Sequence, residues 1–190
     1  MLSDFKNIYT PQGTLKDVMK RPKLDLMMNL FRIPRAYAVS GFGDWNVGQH
    51  SVCAAFVALE WAKIRKFDAA KRDQFVVLAL LHDLHEAVTG DILPFFKTRE
   101  TKTAISGIQA ALLKALKVDP AHELQADLKI VDMAAFLYEI KQSQAATLQP
   151  EKAKWLKRIY ARQRRELLAA AVTHRVDQSR ALRLLQSLDL

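Results

Sequence analysis

Residues 50–83 read HSVCAAFVALEWAKIRKFDAAKRDQFVVLALLHD. Within them Val52, Ala55, Phe56, Leu59 and Ala62 recur at the i, i+3, i+4, i+7 spacing of one helical face. Residues 70–84 read as a second, more buried helix that ends near the His82-Asp83 pair. Its apolar run Phe75–Leu81 carries no charge and reads as a core segment. The run is far short of the roughly 18–20 residues a membrane span needs.

The same periodicity continues outward. Residues 24–32 resemble a short helix. Asp119-Pro120 places a capping acid before a proline and predicts a helix through about Gln142. Gln149-Pro150 starts another, running to about Thr173, and a last amphipathic helix covers roughly Asp177 to Leu188. No alternating strand of convincing length and no 20–50-residue repeat stands out. The expectation is one all-α domain over residues 1–190. Two stretches interrupt it: residues 38–49, with Gly41, Gly43 and Gly48, and residues 87–97, with Gly90 and Pro94. Each adjoins a histidine, and loops on a helical scaffold are where binding chemistry collects.

Composition narrows the class. Half of the 190 residues are hydrophobic and 26% are charged, which excludes an intrinsically disordered chain. Cys53 is the single cysteine, so neither an intrachain disulfide nor a thiolate-rich zinc site can form. The expectation is a reducing cytoplasm. The opening Met-Leu-Ser-Asp-Phe-Lys has no apolar core, so no secretory signal is expected there. The net charge of +9 is local: residues 152–165 carry Lys152, Lys154, Lys157, Arg158, Arg162, Arg164 and Arg165 without an acid, leaving +2 elsewhere. Trp155, Leu156, Ile159 and Tyr160 give that segment an apolar stripe, so it reads as a surface helix packed on the core. Nucleic acid is therefore not the expected partner, although a helical nucleic-acid-binding protein is the remoter alternative.

Chemistry concentrates in His50, His82, Asp83 and Asp132. Adjacent helical residues point about 100° apart, so His82 and Asp83 can share an ion only if it lies between their directions. Other helices must then supply the remaining donors. Two imidazoles and two carboxylates suit Zn, Mn, Fe or Co, with positions left for water and a substrate oxygen.

The run His82-Asp83-Leu84-His85-Glu86-Ala87-Val88-Thr89-Gly90-Asp91 resembles the H-D-x-x-E-x-x-x-G-D motif of HD-domain nucleotide phosphohydrolases, nearest the YfbR-like 5′-deoxynucleotidases. Gln49-His50-Ser51 matches that family's earlier histidine, Ile130-Val131-Asp132-Met133-Ala134 its final aspartate, and Pro94 and Lys97 its Pro and Lys. The resemblance spans about residues 30–140 and leaves the basic amphipathic helices of 150–190 outside it. It implies an HD-domain helical bundle with one divalent transition metal, Zn, Co or Mn, held between helices by His50, His82, Asp83 and Asp132. Glu86 and Asp91 would handle the nucleophilic water and the leaving oxygen. Arg32, in Arg32-Ile33-Pro34, would grip phosphate, with Arg35 as the fallback. Ile33 stands where the family has a Trp that reads the sugar, and the stretch from Arg32 to His50 is longer than in the nearest relatives. Lys97 would be a second cation for a phosphate chain, and Trp45 could stack a base. His85, His122 and His174 receive no role.

The expected function is metal-dependent hydrolysis of 2′-deoxynucleotides at the α-phosphorus, with monophosphates favoured. The compact HD-domain dATP triphosphohydrolases of phages are the alternative precedent, with Mg added for a triphosphate. HD hydrolases of cyclic dinucleotides or guanosine tetraphosphate fit the Glu86 to Asp91 spacing less well. The resemblance also implies a homo-oligomer with a small-molecule deoxynucleotide substrate and no membrane partner.

Overall fold

The computed structural model describes residues 23–35, 45–93 and 96–190. Gly41, Gly43 and Pro94 lie outside the described residues. Helices run over α1 (Lys23–Asn29), α2 (Val47–Arg65), α3 (Ala69–Leu81), α4 (Glu86–Thr89), α5 (Arg99–Ala115), α6 (Gln125–Ala146), α7 (Pro150–Thr173) and α8 (Gln178–Ser187). Leu30–Arg32 and His122–Leu124 are 3-10 turns. Among the described residues there is no strand, and the all-α expectation holds. None of the helices is long and apolar enough to cross a membrane.

Helix boundaries follow from identifiable side chains. Asn46 begins α2 with a capping box: its side chain accepts from the Gln49 amide at 2.8 Å, and the Gln49 side chain accepts from the Asn46 amide at 3.0 Å. Asp68 and Asp177 cap α3 and α8, and Pro150 opens α7. Asp119 acts differently from expectation. Its carboxylate accepts from the Ala121 amide, Ala121 adopts a left-handed backbone (φ 43°), and α6 begins only at Gln125. The side chain thus closes a turn instead of capping a helix. Helix α5, capped by Thr98, was not anticipated, although Ile105, Ile108 and Leu112 recur along it at helical spacing; Leu112 and Leu113 are its buried residues.

The main core gathers Trp61 from α2, Phe75 from α3, Ile130 and Leu137 from α6, Leu167 from α7 and Leu184 and Leu185 from α8. Fully burying a phenylalanine such as Phe75 stabilises by about 1.5–3 kcal/mol. Trp61 donates its indole N–H to buried Asp127 at 2.8 Å, which satisfies a polar atom the core would otherwise strand. Helix α7 packs along α6 through Leu156 and Leu167, while Lys154, Lys157, Arg158, Arg162 and Arg165 face solvent.

On α2 the large residues of the expected face are turned outward, while its Ala62 is buried. Val52, Phe56 and Leu59 are 37%, 68% and 37% exposed, whereas Ala54, Val57, Ala58, Trp61 and Ala62 are buried. The helix is apolar on both sides, so spacing alone does not choose between them. Small Ala54 and Ala58 allow α3 and α6 to approach, and that face also carries His50. Val52 and Phe56 line a groove of about 500 Å³ with Phe31, Trp45 and Tyr138.

One short pairing fixes how the chain arrives at α2. Pro34 and Asn46 form an isolated antiparallel bridge; the Arg35 amide donates to the Trp45 carbonyl at 2.8 Å and the Val47 amide to the Ile33 carbonyl at 3.0 Å. The Phe31 ring lies over Gly48, where a Cβ would sit 2.5 Å from the ring. Only glycine permits that approach.

Candidate metal centre

Three elements distant in sequence supply the four expected donors. His50 sits in the first turn of α2, placed by the Asn46 cap, and is fully buried. His82 and Asp83 follow the end of α3, and Asp132 lies in the second turn of α6. Around His50 Nε2 stand His82 Nε2 at 3.2 Å, Asp132 Oδ1 at 3.3 Å and Asp83 Oδ2 at 3.8 Å. His82 Nε2 is 3.2 Å from Asp83 Oδ2 and 3.7 Å from Asp132 Oδ1. Donors of His50, His82 and Asp83 lie within 4.8 Å of one another, close enough to share an ion.

Both imidazoles present the same atom. His82 Nδ1 donates to the Ala79 carbonyl at 2.7 Å, and His50 Nδ1 donates to Glu139 Oε1. Each Nε2 therefore faces the cluster, the atom through which each imidazole would bind an ion. Glu139 is fully buried and also accepts from Arg35 Nε at 3.1 Å; Arg35 Nη1 reaches Asp83 Oδ2 at 3.4 Å.

Electrostatics follow from burial and crowding. Burial pushes the Asp83 carboxyl up, but His82 and Arg35 outweigh it and hold the group well below the usual range. Asp132 is likewise held low against burial, by hydrogen bonds from His50 and His82 and by the Lys129 ammonium 2.8 Å away. Burial works to lower His82, yet Asp83 and Asp132 raise it well above an ordinary histidine. Glu86 is 2% exposed, and burial, then Asp83 and Asp91, push it up to about 9. Its Oε2 is buried without a hydrogen-bond partner among the described residues. Burial lowers His85.

This donor set fits a divalent ion. Asp83 Oδ2 and Asp132 Oδ1 each stand within 3.8 Å of both imidazole Nε2 atoms, the mix of nitrogen and oxygen donors that a divalent transition metal takes. Asp83, His85 and Glu86 form a second group of donors within 4.8 Å.

The remaining expected residues fall on two sides. Asp91 and Lys97 are half-buried and both act electrostatically on Glu86. Arg32 ends its 3-10 turn exposed, and among the described residues no ion pair ties it to the cluster. Arg35 is the guanidinium that reaches it. Ile33 packs against Leu26, Leu30 and their neighbours. Trp45 meets Tyr138 edge-on, ring centres 6.2 Å apart, in the groove beside Phe31. Glu139 was not anticipated from the sequence. Its signal was available: a lone acid in the apolar run of α6, seven residues after Asp132 and hence on the same face.

A helical bundle that closes a His-Asp pair against donors from two other helices has the form of an HD-domain hydrolase. Residues 24–149, about two-thirds of the chain, match the family model described as 5′-deoxynucleotidase YfbR-like, and the chain belongs to that family. No curated protein and no solved structure matches it significantly.

Proposed function

We propose that the protein hydrolyses 2′-deoxynucleoside monophosphates to deoxynucleoside and phosphate, using one divalent transition metal ion, Zn, Co or Mn, held by His50, His82, Asp83 and Asp132. The observation that carries this is the convergence of those four donors beside buried Glu86 in a chain of the YfbR-like family.

When bound, such an ion supplies Lewis acidity, which acidifies water and neutralises charge on a phosphate oxygen. The chain's own residues do the rest. Glu86, kept protonated by burial and by Asp83 and Asp91, gives a proton to the leaving 5′-oxygen as the bond from phosphorus to it breaks. Asp91, whose charge acts on Glu86, takes the proton from the attacking water as its oxygen bonds to phosphorus. Arg35 is the phosphate-facing cation the geometry favours over exposed Arg32. Lys97, close enough to act on both His85 and Glu86, neutralises oxygens farther along the substrate. That position is the specific observation favouring a second reading, a triphosphohydrolase that releases the intact triphosphate chain with Mg as an additional ion.

The test is a panel of deoxy- and ribonucleoside mono- and triphosphates assayed with Co, Mn or Zn, with products identified. Consumption of deoxymonophosphates, abolished by EDTA, is expected. Turnover of triphosphates alone would replace the monophosphate reading. Inactivity toward every nucleotide, together with salt-dependent nucleic-acid binding, would replace the enzyme reading.

A further inference from the structure

We propose that Glu139 is a positioning residue of the metal centre: it fixes the His50 imidazole in the Nδ1–H form and, through Arg35, sets the Asp83 carboxylate. The inference rests on the metal site proposed above and concerns residues that need no substrate to be examined.

Three observations support it. Glu139 is fully buried in an otherwise apolar stretch of α6, where an ionised carboxylate persists only when its oxygens are occupied by strong donors. Both oxygens are: Oε1 accepts from His50 Nδ1 and Oε2 from Arg35 Nε at 3.1 Å. Each donor leads directly to the cluster. His50 Nε2 lies at its centre, and the other arm of Arg35 contacts Asp83 Oδ2 at 3.4 Å. One side chain thus controls two of the four donors, on α2 and after α3, from the helix that bears a third, Asp132. The carboxylate does more than align. Accepting a hydrogen bond at Nδ1 raises electron density at Nε2, and the loss of such a partner typically weakens metal binding on the order of 10–100-fold. A neutral amide at 139 has no such preference: its oxygen can accept from Nδ1–H or its nitrogen can donate to a bare Nδ1, so either imidazole form is accommodated.

The experiment measures Co(II) and Zn(II) affinity by chelator competition for the wild type and for Glu139→Gln, without nucleotide. It also records the imidazole nitrogen NMR signals of the zinc-loaded wild type. The expected result is a loss of at least 10-fold in affinity for Glu139→Gln, and a wild-type His50 whose Nδ1 carries the proton. Affinity within twofold of wild type in a folded variant overturns the proposal. So does a wild-type His50 with an unprotonated Nδ1, a reading that requires no variant to fold. A wild type that binds neither ion overturns the metal site and this proposal together. A wild type that binds metal and shows the expected His50 signal but hydrolyses no nucleotide removes the proposed function and leaves this inference standing.

Discussion

His50 and His82 aim the same ring nitrogen at the same point, yet they are held in different ways. His82 is secured by its own helix: the acceptor is the Ala79 carbonyl, three residues back. His50 is secured across the bundle by a buried carboxylate 89 residues later. The first arrangement survives as long as α3 ends where it does. The second depends on α2 and α6 packing correctly. One histidine is placed by local geometry, the other by the tertiary fold.

Breaking each ligand should expose that difference most strongly. His82→Ala and His50→Ala are both expected to lose bound metal and reduce turnover to background, checked by metal analysis and assay. Their metal-free stabilities should part company. At a pH above the raised His82 value, where that imidazole is neutral, His50→Ala strands a buried Glu139 oxygen, a loss on the order of 1–3 kcal/mol, whereas His82→Ala frees only a carbonyl near a helix end. Equal denaturant midpoints for the two variants would contradict the distinction.

Glu86→Gln comes next. It should lower kcat by roughly 10²–10⁴ while metal content and folding are retained, because Glu86 is needed for proton transfer. A variant with wild-type kcat would remove Glu86 from that role. The two arginines offer a smaller contrast. Arg35→Ala is expected to reduce kcat/KM by about 10-fold or more, as a lost charge-assisted contact of roughly 1.5–3 kcal/mol implies; Arg32→Ala should stay within about threefold. The reverse order would return phosphate binding to Arg32.

The mildest test is pH. In the metal-free protein His82 is raised, so its stabilising contribution is complete below the ordinary value of 6.5 and fades as pH climbs through the raised one. Asp83 and Asp132 are depressed; their contribution is present above 3.8 and fades as pH falls toward their folded values. Added Co or Mn must displace the His82 proton, so the rise in Tm on loading should grow between about pH 5 and 8. A rise that is flat with pH would count against His82 as a ligand.

How much was legible in the sequence follows the same division between local and distant causes. The ends of α7 and α8 are set by Pro150 and Asp177 and were readable from them. So was the His82–Asp91 motif, whose residues lie within one short stretch. The inward face of α2 was not, because Val52, Phe56 and Leu59 are as apolar as the residues the core selects. The pairing of Arg35 with Glu139 was hidden for another reason. The two are 104 residues apart, and neither sits at a spacing that signals the other. Only the packing of α6 against α2 turns an isolated acid on a greasy helix into a partner for His50.

The pairing of Pro34 with Asn46 has a consequence for how this family's chain can change length. Two backbone hydrogen bonds fasten the stretch bearing Arg35 to the threshold of α2, so the two sides stay joined whatever the number of residues between them. Doubling such an excursion costs only about 0.6 kcal/mol in closure entropy. An insertion there is expected to leave the donors in register.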